Sequence, residues 1–334
     1  MAKAVAFAGG DGVTVEIISP APQAAVRSLG PGVTLRGVPM SPAGAAYGEG
    51  VSWEFVAALE SADLIHVHQV FTRMGEAAAI AGRMRGVPVC ITDHGGGTRT
   101  VGRRLGLVDM VDAAIAYSRC GATALGDSAN VTVIEGGVDA EFFHDTSASG
   151  VRDRFLFVGR IMPHKGVDLL LRALPDDAPL TVAGTVADAT YLELLHELAR
   201  GHDVSFATNP NDVELRDLYS SAIAIVQPSV HIDVYGRVYQ YPELMGLVAL
   251  EGMACGAPAV VLRTGALPEY VDDGLTGFVV DNEAQLRDRL ELLAADPELC
   301  AAMGRAARER VLTLWDSRIA GERMLRLYRR LAEN

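Results

Sequence analysis

Short apolar segments separated by amphipathic ones recur in two runs along the chain, and this rhythm restricts the fold more than any other feature. In the first run, strands are expected at Val13–Ser19, Val33–Val38, Asp63–Val67, Val87–Thr92, Ala113–Tyr117 and Val131–Ile134, with helices at Ser52–Leu59 and Met74–Arg85. In the second, strands are expected at Phe155–Val158, Leu180–Ala183, Val204–Phe206, Ala222–Val226, Ala259–Leu262 and Gly277–Val280. Its helices are expected at Val167–Leu174, Ala189–Arg200, Glu214–Ser220, Leu247–Ala254 and Glu283–Ala295. Continuous apolar strands between helices suit parallel sheets covered on both faces. Two such runs predict two doubly wound α/β domains, with the ligand in the crevice at the strand C-termini. The small, polar stretch within His144–Val151 marks the break. Domains are thus expected over 1–146 and 151–312, with a helix over 313–334 returning to the N-terminal domain. Asp296-Pro297 starts the helical tail, whose arginines (Arg305, Arg308, Arg310, Arg318, Arg323, Arg326, Arg329 and Arg330) read as a solvated face.

Composition removes several classes. With 42 Asp and Glu against 29 Lys and Arg, the net charge of −13 argues against a nucleic-acid binder held by bulk charge. A local basic site for phosphate remains open. No apolar run reaches the ~18 residues of a membrane span. The first residues, MAKAVAFAGGDG, carry no signal-peptide pattern, so a cytoplasmic location is expected. Cys90, Cys120, Cys255 and Cys300 form no CxxC pair and read as buried free thiols.

Three segments of the second half carry chemistry. In Val158-Gly159-Arg160-Ile161-Met162-Pro163-His164-Lys165-Gly166, a strand ends in a glycine turn and two cations lie five residues apart. That is a site for a diphosphate, although a turn with two surface cations has an ordinary structural reading too. In Glu243-Leu244-Met245-Gly246-Leu247-Val248-Ala249-Leu250-Glu251, two carboxylates lie eight residues apart around a helix start. The first-turn N–H groups of that helix are unpaired and favour an anion. Thr264–Val271 and Asp273–Gly277 form a turn-rich edge of the same crevice.

Together these residues resemble the retaining family 4 glycosyltransferases of the GT-B fold, two Rossmann-like domains facing a central cleft. Glu243 and Glu251, with Glu-Gly-Met-Ala-Cys-Gly-Ala-Pro following, are similar to that family's E-x7-E motif, and Gly159-Arg160 with Lys165 to its diphosphate-binding pair. Ile134-Glu135-Gly136-Gly137-Val138-Asp139…Phe143, Leu267-Pro268-Glu269 and Gly274-Leu275-Thr276-Gly277 also resemble family elements. The resemblance implies a nucleotide-diphospho-sugar donor and a hexose transferred to a small-molecule, glycan or lipid-linked acceptor. Arg160 and Lys165 would neutralise the diphosphate, and Gly246, Leu247 and Val248 would meet phosphates and sugar through backbone N–H groups. Glu251 would bind the ribose and Glu243 the transferred sugar, with no metal and no cofactor. His94, in Thr92-Asp93-His94-Gly95-Gly96-Gly97, would be the N-domain histidine that approaches the sugar.

Other candidates are less specific. His66 and His68 end a strand and read mostly as structural histidines, with His68 a candidate on the acceptor side. Zinc at His66, His68 and His94 is possible by residue type, but no spacing supports it. Arg99, Arg103 and Arg104 make a local basic patch for an anionic acceptor or a lipid surface, or a solvated face. The stretch Ser229–Tyr241 is longer than the family's usual link, and its Tyr235 and Arg237 suit acceptor contacts or an ordinary surface hairpin. Ala6–Val15 looks like a first helix running into the second strand, so the N-terminal domain is expected to be shortened, with Gly9, Gly10 and Gly12 as possible substitutes for a phosphate loop. Two rival functions follow: a non-catalytic sugar-nucleotide-binding protein or complex subunit, and a sugar-nucleotide epimerase of the same fold. A nicotinamide dehydrogenase is disfavoured because no GxGxxG follows a first strand.

Overall fold

The computed structural model describes residues 1–41, 50–59, 61–95, 101–147 and 152–333. Arg99 therefore lies outside the described residues. The chain forms two units, one of residues 1–137 with 317–334 and the other of 138–316. The boundaries fall at Gly137/Val138 and Asp316/Ser317, away from the expected 146 and 312, for a visible reason. Val138 N–H donates to the Trp315 carbonyl at 2.9 Å, tying the segment to the break between the two helices of the tail. The polar residues read as a break are themselves engaged: Thr146 N–H and Ser220 Oγ are 3.1 Å apart, and Asp145 pairs with Arg152 at 3.2 Å.

The N-terminal unit begins with helix α1 (Ala2–Gly9), which passes through a 3-10 turn at Gly10–Gly12 into β1 (Val15–Ala21). These glycines end a helix; no strand leads into them as into a phosphate loop. β2 (Ala25–Gly30) and β3 (Val33–Pro39) complete a three-stranded sheet, with β1 parallel and β2 antiparallel to β3. A second sheet holds β4 (Ile65–His68), β5 (Val89–Thr92), β6 (Ala113–Ala116) and β7 (Val131–Val133), parallel and in that order. Between them lie α2 (Trp53–Ala58), α3 (Arg73–Met84), α4 (Val101–Arg104), α5 (Leu107–Met110) and α6 (Arg119–Leu125). β5 and β6 are buried along their whole length, as their unbroken apolar sequence requires.

The C-terminal unit contains β8 (Arg154–Val158), α7 (Val167–Ala173), β9 (Leu180–Gly184), α8 (Ala189–Leu198), β10 (Val204–Thr208), α9 (Asp212–Ser221) and β11 (Ala222–Gln227). α10 (Leu247–Ala254), β12 (Ala259–Leu262), β13 (Gly277–Val280), α11 (Glu283–Ala295) and α12 (Pro297–Leu314) follow. The sheet order is β10-β9-β8-β11-β12-β13, all parallel. This is the 3-2-1-4-5-6 order of a doubly wound nucleotide-binding sheet, and its switch point lies between β8 and β11. The last helix, α13 (Ser317–Ala332), belongs to the N-terminal unit, where a Cβ on Gly321 would lie 2.6 Å from the Ala4 backbone. The tail arginines are mostly exposed, but Arg308 bonds the carbonyl of Ala254 and Arg323 pairs with Glu135 at 3.4 Å. Arg310, though exposed, pairs with Asp272 at 3.0 Å, so a solvated face does not describe the whole set.

Candidate active site

Where the winding direction reverses, the loops after β8 and β11 diverge and leave a hollow. There a cavity of 210 Å³ is lined by Val158, Gly159, Arg160, Lys165, Gln227, Glu243, Met245, Gly246, Leu247, Val248 and Leu267. Six of the residues singled out above thus share one wall: Arg160, Lys165, Glu243, Gly246, Leu247 and Val248. Glu251 does not line the cavity; it lies one turn into α10.

Local chemistry builds this wall. Gly166 adopts φ +71°, and a Cβ there would sit 2.1 Å from the Pro228 carbonyl oxygen, so the Lys165 turn can press against the end of β11. Gly265, at φ +56°, lets its loop approach the Glu243 backbone, where a Cβ would lie 2.1 Å from the carbonyl oxygen. That carbonyl accepts the Ala266 N–H at 2.9 Å. α10 has Gly246 as its N-cap, with no side-chain cap and no acidic residue in its first turn. Its first N–H groups and partial positive charge stay open to an anion.

Lys165 Nζ donates to Glu243 Oε2 at 2.6 Å, with side chains 13% and 15% exposed. Ser229 Oγ donates to the same oxygen at 3.4 Å. The residue expected to meet the diphosphate and the residue expected to meet the sugar are therefore joined to each other. Deeper in the unit, Tyr219 donates from its hydroxyl to Glu251 Oε2 at 2.8 Å. Burial pushes Glu251 up to about 7, partly offset by this hydrogen bond and assisted by the charge of Asp212. Ser229 opens the long stretch noted in the sequence, whereas no motif points to Tyr219.

Residues 229–241 fold back on the Lys165 turn. Ile232 and Val238 bridge antiparallel, and buried Asp233 accepts N–H bonds from Tyr235 and Arg237 and the Tyr239 hydroxyl at 2.9, 3.0 and 3.1 Å. The Tyr239 ring lies 4.6 Å from that of His164, next to Lys165 in sequence. Burial, then Lys165 and Arg160, push His164 down to about 4. Tyr235 and Arg237 stand on the exposed side, the guanidinium 5.5 Å from the ring centroid.

In the N-terminal unit the histidines at the end of β4 form a chain. His66 shares hydrogen bonds with Thr92 Oγ1, at 2.7 Å, and with the hydroxyl of Tyr328 on α13. His68 Nδ1 and His94 Nε2 share one of 2.9 Å, and their rings stack at 5.2 Å. The ring nitrogens thus serve one another and nearby hydroxyls. No group of His, Cys, Asp or Glu among the described residues is placed to hold a metal. Burial first, then the neighbouring rings, lowers His66 well below its usual value and brings His68 to about 4; burial also lowers His94. The folded unit resists protons that its unfolded chain binds between about pH 6.5 and 4. Stability is therefore expected to fall as pH drops through that window, by on the order of 1 kcal/mol after discounting for solvent contact. Melting curves from pH 7 to 4.5 check this: His68→Gln should flatten the slope, and an unchanged slope would place the acid loss elsewhere.

Arg103 of the basic patch is engaged internally. It pairs with Asp93 at 2.5 Å, donates to the Ala124 carbonyl at 2.8 Å and lies over the Phe71 ring. A larger cavity of 320 Å³ is lined by Arg103, Gly106, Val108, Asp109, Leu125, Gly126, Asp127 and Ser128, and its one cation is already paired with Asp93. Cys90, Cys255 and Cys300 are buried thiols, and Cys120 is half-buried.

A doubly wound sheet with cations and an uncapped helix at its switch point defines a nucleotide-binding α/β protein. Residues 139–310 match the model of the group 1 glycosyl transferases, and residues 2–136 match that of the glycosyl transferase 4-like domain. The chain belongs to this glycosyltransferase family, family 4 of the GT-B fold. It is 35% identical to the GDP-mannose-dependent alpha-(1-6)-phosphatidylinositol monomannoside mannosyltransferase of Mycolicibacterium smegmatis, over 69% of this chain and 64% of that protein. It is 33% identical to the D-inositol 3-phosphate glycosyltransferase of an Arthrobacter species, over 73% of this chain and 65% of the relative. The chain thus spans just under two thirds of the length of these relatives. Its fold is similar to that of sucrose-phosphate synthase from Thermosynechococcus elongatus, with a TM-score of 0.79 at 22% identity over 99% of this chain and 91% of that one. No helix among the described residues is long and apolar enough to cross a membrane.

Proposed function

We propose that this chain is a metal-independent, retaining hexosyltransferase of the cytoplasm that draws its sugar from a nucleotide-diphospho-sugar. The observation that carries the reading is the single cavity shared by Arg160, Lys165, Glu243 and the uncapped N-terminus of α10. Two cations and a row of backbone N–H groups can stabilise the negative charge that develops on a diphosphate leaving group, the part a divalent metal plays elsewhere. Binding the diphosphate there draws Lys165 from Glu243, whose carboxylate then turns to the hydroxyls of the transferred sugar. Glu251 receives the ribose hydroxyls. His94 keeps the sugar-contacting role on the family resemblance alone. Tyr235 and Arg237, exposed above a loop locked by Asp233, suit a hydroxylated or anionic acceptor.

The relatives' names guide the test: GDP-mannose and other nucleotide sugars as donors, inositol phosphates and phosphatidylinositol mannosides as acceptors, each with EDTA present. Sugar transfer and nucleoside-diphosphate release that persist in chelator are expected. Nucleotide binding without turnover would favour a non-catalytic binding protein. Activity lost in EDTA and restored by Mn²⁺ would overturn the leaving-group argument.

A further inference from the structure

We propose that Tyr219 is a positioning residue of the nucleotide site, its hydroxyl holding Glu251 ionised and oriented to accept the ribose hydroxyls; this rests on the ribose role proposed above for Glu251. Tyr219 sits near the end of α9 and is fully buried, in a cluster with Leu156, Val158, Ile225 and Ala257. A phenylalanine would fill that space equally well, so the buried hydroxyl calls for a polar partner. Glu251 is the partner, at 2.8 Å. Among the described residues Tyr219 is the one side chain that hydrogen-bonds Glu251. α9 is itself fixed by the capping box of Asn211 and Glu214, so the hydroxyl is delivered from a rigid element. Glu251 lies four residues beyond Leu247, one turn behind the helix N-terminus that lines the cavity.

The surrounding charges make the hydroxyl matter. Asp212, on α9, disfavours a second negative charge at Glu251. Cys255, at the end of α10, is pushed by burial up to about 12 and stays a neutral thiol. Arg152 donates to the carbonyls of Ala222 and Cys255, and Arg308 to that of Ala254, so neither guanidinium bonds the Glu251 carboxylate. Tyr219 therefore supplies the bond that favours the charged form against burial. Ribose hydroxyls donate to a carboxylate, and protonation weakens that acceptor.

Calorimetric titration of GDP and UDP into the whole chain between pH 6 and 9 tests this. Affinity of the unaltered protein should rise through about pH 7, where Glu251 ionises. Tyr219→Phe should move that midpoint up by roughly one pH unit. Its affinity should fall ~3–10-fold at pH 7 and return to within about twofold at pH 9. Glu251→Gln should bind weakly with only the nucleotide's own titration, and adding Tyr219→Phe to it should change nothing further. An unshifted midpoint in Tyr219→Phe, whatever its melting temperature, while Glu251→Gln binds weakly, would overturn the role of Tyr219 alone. Full affinity in Glu251→Gln would overturn the ribose assignment itself.

Discussion

Glu243→Gln is expected to lower turnover by on the order of 10²–10³-fold, as for loss of one preorganised transition-state contact. Nucleoside-diphosphate affinity should stay intact or rise slightly. The reason is the 2.6 Å pair with Lys165: the neutral amide releases the ammonium that the diphosphate would otherwise have to win. A capping role for Glu243 is removed by the geometry, since Gly246 is the N-cap of α10 and no side chain caps it. The backbone at Glu243 is secured by the Ala266 N–H and the close approach of Gly265. The variant should therefore melt within ~1 kcal/mol of the unaltered protein. Measuring turnover and melting on the same preparation decides the matter, and normal turnover in a folded Glu243→Gln protein would end the catalytic assignment.

Arg160→Ala and Lys165→Ala should each weaken nucleoside-diphosphate binding by about 1.5–3 kcal/mol, the range of a charge-assisted hydrogen bond. The two should not fail equally. Arg160 is exposed, so its loss removes one contact. Removing Lys165 also deprives the Glu243 carboxylate, 15% exposed, of its counter-charge and sets it against the incoming phosphates. Lys165→Ala should thus be the weaker binder, and adding Glu243→Gln should recover part of the loss. Calorimetry with GDP and UDP checks this. Unchanged affinity in both single variants would remove the diphosphate site, and an additive double variant would remove the proposed link between Lys165 and Glu243.

Much of the C-terminal unit was legible because its local signals agree. All six of its expected strands differ from the observed ones by no more than two residues at an end, and the expected helix Leu247–Ala254 matches the observed one to the residue. A buried parallel strand must be continuously apolar and a glycine turn must follow it, so sequence and fold carry the same pattern there. The N-terminal unit was harder. β2, Ala25–Gly30, is largely exposed and was missed, because a strand with little buried face has no apolar run to announce it. The short helices α4, α5 and α6 were missed for want of enough turns to show a period. The domain boundary was misplaced because polar residues near 146 bond Ser220 and Arg152, and composition cannot tell a solvated linker from one tied down by side chains.

The sequence by itself determined the architecture of the C-terminal unit and the identities of the groups at its switch point. Strand burial, turn glycines and motif spacing are local properties, written in consecutive residues. Only the tertiary structure decided which groups engage one another. Lys165 and Glu243 are 78 residues apart in sequence and 2.6 Å apart in space. Tyr219 meets Glu251 across two helices, and His68 meets His94 across neighbouring strands. Charge state follows from those meetings, since burial and the nearest partner set each pKa. Residue spacing along the chain contains neither, so the motifs locate the site while the packing between elements fixes its electrostatics.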